Sequence, residues 1–355
     1  MQKKNPMAYP IITRLKNLDF WYWCRYYIDI YRECPYECEY CNTRKKAHFT
    51  GLTFIRGIPE EKETIGLGLI SDIYSWKERE NETVHEILEL LEKGRYGLNI
   101  MTKSDRIIDD SDILGKFAHM DRARVTFTIL TLDGRLSRAL EGRSPTPEQR
   151  LGALRRLRDS GIPAGVAISP IIPCINDDEK ALYGLVEACR DAGAQWVLFS
   201  GFSVVPRFFQ NPLWAEAARI HEDERMLRKR YEKTKKFLIP LLQKEGLPIR
   251  IPRITFSLYN KKRTPQKVSE FLFNISYLYE LMEDDVRMMR YRRAAYMIEN
   301  ISASLSTVIS KGELGYIKGV NPEIEQVIEE VVLSGDSNLY RNLSRNIYSE
   351  AHTLT

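Results

Sequence analysis

Three cysteines stand within eight residues, in the run Cys34-Pro-Tyr-Glu-Cys38-Glu-Tyr-Cys41, spaced C-x3-C-x2-C. Thiolates at such short spacing are metal ligands. A [4Fe–4S] cluster is normally held by four cysteines. Held by three, it leaves one iron open to bind a small molecule. The same residues suit a structural zinc site completed by His48 or Cys24. Zinc motifs usually come as paired halves, however, and the second half is missing here.

A loop of this kind needs elements that hold it still, and the chain supplies an alternating set. Residues 8–23 are aromatic-rich and end in Phe-Trp-Tyr-Trp. Residues 25–32, β-branched and aromatic, read as a strand leading straight into the cysteine loop. Further strands are expected at 64–70, 97–102, 124–130, 164–169 and 196–200. Helices are expected at 83–92, at 111–119 with Ser111 as cap, at 147–160 and at 179–192. Strands alternating with helices predict a parallel sheet with right-handed crossovers. Six such units make an α/β fold, a partial (β/α)6 barrel, whose chemistry belongs at the C-terminal strand ends. Gly66 and Gly68 do not complete a dinucleotide-binding fingerprint.

Composition sets the outer limits. A chain of 355 residues with 43% apolar content can bury a sizeable core and accommodate two domains. No apolar run is long enough for a membrane span, and residues 1–6 lack the apolar region of a signal peptide. Six cysteines, three of them in one motif, do not form a disulfide framework in a chain this long. A reducing cytoplasm is therefore the expected setting. The net charge of +5 permits nucleic acid as a partner without requiring it.

The cysteine spacing, with the aromatic Tyr40 before the last cysteine, resembles the radical S-adenosylmethionine (SAM) superfamily. That resemblance implies a [4Fe–4S] cluster on Cys34, Cys38 and Cys41. It also implies SAM chelated at the open iron, and a one-electron donor such as a ferredoxin or flavodoxin. The cofactor would then be cleaved to a 5′-deoxyadenosyl radical. From about residue 26 to 202 the chain resembles the spore photoproduct lyase branch more closely. The matching pieces are the cysteine loop, Ser71-Asp72, Met101-Thr-Lys103, Phe127-Thr-Ile, Leu140-Glu-Gly-Arg143, Gln149-Arg-Leu151 and Ser169-Pro-Ile. Carried over by position, Ser71, Asp72, Lys103 and Thr128, together with Tyr40, match residues around SAM. Lys103 suits the SAM carboxylate, Asp72 its ammonium or ribose hydroxyls, and Ser71 and Thr128 offer hydroxyls. Read singly, a Lys or Asp at a strand end is a solvated charge or a turn residue. The lyase's hydrogen-donor cysteine and one relay tyrosine are replaced here by Leu69 and Asn42. Tyr40 is what remains of that relay. Cys174, after another strand, is either a replacement donor or a small buried hydrophobe. Cys24 and Cys189 read as packing residues.

The composition changes after residue 206. Residues 215–237 form a charged helical stretch, 246–252 a short strand or connector, and 261–265 a linker. The expected division is 1–210 for the barrel, 211–262 for the basic helix and connector, and 263–355 for a small all-α domain. That last part resembles the N-terminal helical domain of the DNA polymerase X family. The resemblance rests on Tyr-Arg-Arg-Ala-Ala at 291–295, Lys-Gly-Glu-Leu at 311–314, Ile-Lys-Gly-Val-Asn at 317–321 and Ser334-Gly335. It implies a helix-hairpin-helix turn at 317–321 that binds DNA backbone, independent of sequence. Arg292, Arg293, Lys318, Gly319, Val320 and Asn321 are its candidate contacts. Val327 stands where that family has its catalytic lysine, so the module would bind DNA without lyase chemistry. A plain protein-docking module fits the same helices.

Both halves suggest a radical SAM enzyme that repairs or modifies DNA. A DNA-binding protein with a structural cluster, or radical modification of RNA or protein, are the competing classes.

Overall fold

The computed structural model describes residues 11–29, 34–41, 62–75, 83–201, 208–256 and 263–349. Residues 30–33 and 42–61, which include Asn42 and His48, and residues 261–262 of the expected linker lie outside them. The chain divides into two compact units, Met1–Ile254 and Thr255–Thr355.

The first unit is built on one seven-stranded sheet in sequential order. Its strands are β1 (Ile11–Asp19), β2 (Cys24–Asp29), β3 (Thr64–Leu67), β4 (Gly97–Thr102), β5 (Ala123–Thr128), β6 (Ala164–Ile171) and β7 (Val197–Gly201). β2 through β7 pair in parallel, as the alternating pattern predicts. All six residues of β5 are buried, as expected for a strand covered on both faces. The connecting helices are α1 (Thr83–Lys93), α2 (Ser111–His119), α3 (Gly134–Glu141), α4 (Pro147–Asp159) and α5 (Glu179–Asp191). The Thr146–Gln149 capping box starts α4. Ser111 is the first residue of α2 and not its cap, because a 3-10 turn at Asp105–Asp110 runs directly into the helix.

Three further features depart from expectation. An antiparallel edge strand, β1, precedes the six parallel ones. Helix α3, eight residues long, follows β5. The charged stretch at 215–237 is two helices, α6 (Ala215–Glu222) and α7 (Glu224–Lys244). The break falls at Asp223, whose side chain accepts the Met226 amide at 3.0 Å and so starts a new helix. Residues 246–252 form no strand, although the Val197 amide donates to the Pro248 carbonyl at 2.9 Å.

The aromatic run before β2 closes one side of this unit. The Arg250 guanidinium lies 5.2, 5.4 and 4.9 Å from the ring centres of Phe20, Trp21 and Trp23. It also donates to the Phe20 carbonyl. The Trp23 indole N–H donates to the Ile251 carbonyl at 2.8 Å.

The second unit is helical and, among the described residues, has no strand. It comprises α8 (Arg263–Leu281), α9 (Asp285–Glu299), α10 (Leu305–Ser310), α11 (Pro322–Ser334) and α12 (Asn338–Ser349). Residues 263–265, expected as linker, are the first turn of α8. A proline is tolerated there because first-turn amides have no partner within the helix.

Arg250→Met keeps the aliphatic stem and removes the cation. It should destabilise the first unit by about 2–4 kcal/mol, from lost cation–π contacts and a charged hydrogen bond. Urea unfolding followed by tryptophan fluorescence would measure the change.

Candidate cluster and cofactor site

The parallel register aligns the strand ends. Leu67 pairs with Ile100, Thr102 with Phe127, Thr128 with Ala167, and Ile168 with Phe199. The residues just beyond these positions therefore meet at one edge. A cavity of about 290 Å³ opens there. Cys34, Cys38 and Cys41 form one wall, with Tyr36 and Tyr40. Asp72, Lys103 and Thr128 come from the ends of β3, β4 and β5. Ser169 and Ser200, at the ends of β6 and β7, complete the rim.

Cys38 is buried, and Cys34 and Cys41 are half-buried. Burial pushes the Cys38 thiol up to about 12 and raises the Cys34 thiol. Metal binding at such thiols must displace protons. Among the described residues, no three His, Cys, Asp or Glu side chains converge on a point where one ion could sit. Three cysteines on one cavity wall offer a soft thiolate donor set, of the kind that iron–sulfur clusters and zinc both take. Cys24 is buried at the start of β2, while Cys34 follows the end of that strand.

The loop is pinned to the end of α3. The Glu39 amide donates to the Leu140 carbonyl at 2.8 Å. Gly142 lets the chain approach closely, since a Cβ there would stand 2.4 Å from the Tyr36 carbonyl oxygen. Tyr40 packs against an apolar cluster of Leu130, Leu140, Ile172, Phe208 and Trp214. Its hydroxyl donates to Glu141 at 2.6 Å.

Asp72 joins two strand ends. Its carboxylate accepts from the Thr102 hydroxyl at 2.9 Å, the Lys103 amide at 2.6 Å and the Tyr74 amide at 3.0 Å. Burial raises its pKa, and these hydrogen bonds act against that rise. The Lys103 ammonium lies 5.8 Å from the Tyr40 ring centre and 3.8 Å from Glu141. Burial acts to lower its pKa, but the negative charge of its neighbours, with Cys38 in its thiolate form, Glu141 and Asp72 among them, raises it overall.

Two charged groups beneath this wall went unassigned in sequence. Glu141 is 1% exposed and Arg150 is fully buried, 2.6 Å apart. Arg150 also donates to the Thr128 carbonyl at 2.8 Å, the Pro145 carbonyl at 2.9 Å and the Ser144 hydroxyl at 2.6 Å. Both lie in the Leu140–Arg143 and Gln149–Leu151 motifs. Only folding shows that they meet.

Two expected residues fall elsewhere. Ser71 is buried but does not line the cavity. Cys174 has φ +62° and lies off the cavity wall, with its amide donating to Asp177 at 2.9 Å. Its neighbours Pro173 and Asp177 line a second cavity, of about 330 Å³, with Tyr231 and Arg230 of α7. Burial raises the Cys174 thiol pKa, against the opposing effect of Arg230.

In the second unit the 317–321 segment forms a turn, with the Val320 amide donating to the Ile317 carbonyl at 3.0 Å. That bond occupies an amide expected to face phosphate. Gly319 has φ +92°, and a Cβ there would lie 3.2 Å from the Arg293 stem. Asn321 is extended, at φ −126°, and caps α11 through the Ile324 amide. It therefore does not adopt the positive φ that a second glycine would supply. Arg292 is paired with Glu280 and Ser276 of α8, whereas Arg293 and Lys318 are exposed. Val327 is buried in α11.

A partial α/β barrel with three cysteines and a lysine at its open strand ends is the architecture this unit defines. No protein-family profile matches the chain. An uncharacterised protein of Methanocaldococcus jannaschii is 32% identical over 168 residues, 44% of this chain and 63% of that protein. An uncharacterised protein of Mycobacterium bovis is 25% identical over 198 residues, 50% of this chain and 58% of that protein. The chain thus spans less than two thirds of the length of these relatives. Among solved structures, a spore photoproduct lyase complexed with dinucleoside spore photoproduct aligns with TM-score 0.42 and 16% identity. That alignment covers 59% of this chain and 62% of the lyase. SuiB of Streptococcus suis, bound to S-adenosylmethionine, aligns with TM-score 0.34 and 12% identity, over 56% and 43%. Among the described residues, no helix is long and apolar enough to cross a membrane.

Gly142→Ala should force the cysteine loop off α3. The expected cost is about 1–3 kcal/mol. Hydrogen exchange of the Glu39 amide should quicken while β4 and β5 amides keep their protection.

Proposed function

We propose that this chain is a radical SAM enzyme that repairs or modifies DNA. The supporting observation is the single cavity that gathers Cys34, Cys38, Cys41, Asp72, Lys103 and Thr128 at the strand ends. Cys34, Cys38 and Cys41 would hold a [4Fe–4S] cluster, with the electron coming from a carrier such as a ferredoxin or flavodoxin. When bound, cluster and SAM together supply one-electron cleavage of the cofactor to a 5′-deoxyadenosyl radical that abstracts hydrogen. Lys103 would pair with the SAM carboxylate through charge-assisted bonds. Asp72 fixes the Lys103 backbone and keeps acceptor capacity towards the SAM ammonium or ribose, because each carboxylate oxygen accepts more than one bond. Thr128 offers a hydroxyl from the rim. Tyr40 closes the wall between the cluster loop and α3 and excludes water from it. Ser71, away from the wall, would act only through Asp72, and Cys174 only through the neighbouring cavity.

The DNA part of the proposal rests on the second unit and on the lyase resemblance. The 317–321 turn sits between α10 and α11 with Lys318 and Arg293 exposed beside it. As a helix-hairpin-helix module it would hold DNA backbone through these side chains and Gly319. Arg292 would support α9 through its ion pair.

Anaerobic reconstitution should load about four irons and four sulfides, lost in the Cys34→Ala, Cys38→Ala, Cys41→Ala variant. With SAM and a reductant the loaded protein should release 5′-deoxyadenosine. Stoichiometric zinc in place of iron would refute the proposal. Lys103→Ala should weaken SAM binding roughly tenfold, with iron content unchanged. In the full chain, the logarithm of DNA affinity should fall linearly with the logarithm of salt concentration. Arg293→Ala with Lys318→Ala should flatten that slope by about 0.9 per lost duplex phosphate contact. An unchanged slope would remove these two residues from the interface.

A further inference from the structure

We propose that Glu141 is the positioning residue for the SAM carboxylate site: with Arg150 as its counter-ion, it holds the Lys103 ammonium against the Tyr40 ring without capturing it. This inference rests on the assignment of SAM to the cavity.

Glu141 ends α3 beneath the cavity wall. One oxygen accepts from the Tyr40 hydroxyl at 2.6 Å and faces Lys103 Nζ at 3.8 Å. The other is 2.6 Å from Arg150 and 3.4 Å from the Ser137 hydroxyl. The two cations are thus held unequally. Arg150 is at hydrogen-bond distance and fully buried, while Lys103 stands more than 1 Å further off and lines the cavity. The charged and titratable groups around Lys103 include Glu141, Arg150, Asp72, Tyr40 and the Cys34 and Cys38 thiols.

The spacing has a physical consequence. Attraction in a poorly solvated wall is strong and falls with distance. An unpaired Glu141 would draw Lys103 into a close ion pair and compete with an incoming carboxylate. Arg150 takes up that demand, so Lys103 is oriented but still available. Without Glu141, two cations would face each other across the wall and the Tyr40 hydroxyl would lose its carboxylate acceptor. Lys103 would then move away from Arg150 and lose its place over the ring. Glu141 therefore acts on SAM through Lys103.

The test is a double-mutant cycle on cluster-loaded protein, with SAM itself as the probe in anaerobic equilibrium dialysis. Glu141→Gln should weaken SAM binding by about tenfold in the native background and by less than about twofold when combined with Lys103→Met. The change that SAM causes in the electron paramagnetic resonance signal of the reduced cluster should require correspondingly more SAM. Equal weakening in both backgrounds would mean a general structural role and would overturn the inference. So would native affinity in Glu141→Gln. Failure of the wild-type loaded protein to bind SAM would overturn the SAM assignment and this inference with it. Removing one member of a buried ion pair leaves an unpaired charge that can prevent folding. If Glu141→Gln does not fold, Glu141→Gln with Arg150→Met removes both charges. That pair should show the same dependence on Lys103, and independence from Lys103 would overturn the proposal.

Discussion

The buried ion pair between Glu141 and Arg150 is the constraint on which the cavity wall depends. Two charges out of water are costly unless each is paired and its remaining hydrogen-bonding capacity is used. Arg150 meets that condition through Glu141, the Thr128 and Pro145 carbonyls and the Ser144 hydroxyl. Glu141 meets it through Arg150, Tyr40 and Ser137. The bonds join the end of β5, the end of α3, the start of α4 and the cysteine loop. A satisfied buried network of this kind is rigid, because every displacement leaves some polar group unpaired.

That rigidity matters for a site made largely of loop. The 34–41 segment contains no helix or strand and would be poorly ordered on its own. It is fixed on three sides instead. The Glu39 amide is bonded to α3, Tyr40 is packed into the Leu130–Trp214 cluster, and the Tyr36 carbonyl lies against Gly142. The opposite wall is held by Asp72, which ties the end of β3 to the Thr102–Lys103 end of β4. The cavity is thus shaped by contacts within the chain itself.

In the second unit the 317–321 turn is also held from behind. The Tyr291 hydroxyl donates to Glu323 at 2.7 Å, which ties α9 to the first turn of α11. Gly319 rests on the Arg293 stem, and Asn321 caps α11. Lys318 is therefore exposed on a braced turn and Arg293 on α9 behind it, whereas Arg292, adjacent in sequence, pairs with Glu280 and Ser276 of α8. Neighbouring residues on a helix point in different directions, so the pair Arg292-Arg293 separates into one structural and one available charge.

Local pattern alone determined much of this protein. Six parallel strands, the helices at α1, α4 and α5, and a helical second unit follow from apolar periodicity and capping residues, which act over a few positions. The cysteine spacing is equally local, and so the three thiols that share one cavity wall stand out together in the sequence. Contacts between distant segments were not. Strand β1 runs into an aromatic turn, Phe20 to Trp23, whose partner Arg250 is more than 200 positions away. Asp223 divides a charged stretch that has uniform helical composition. Ser71, next to Asp72 in sequence, does not line the cavity, and neither does Cys174. Glu141 and Arg150 stood in plain view as two charged residues in helical segments. Only tertiary packing removed them from water and brought them against Tyr40 and Lys103, and burial is what turns an ordinary charge into one that must be paired.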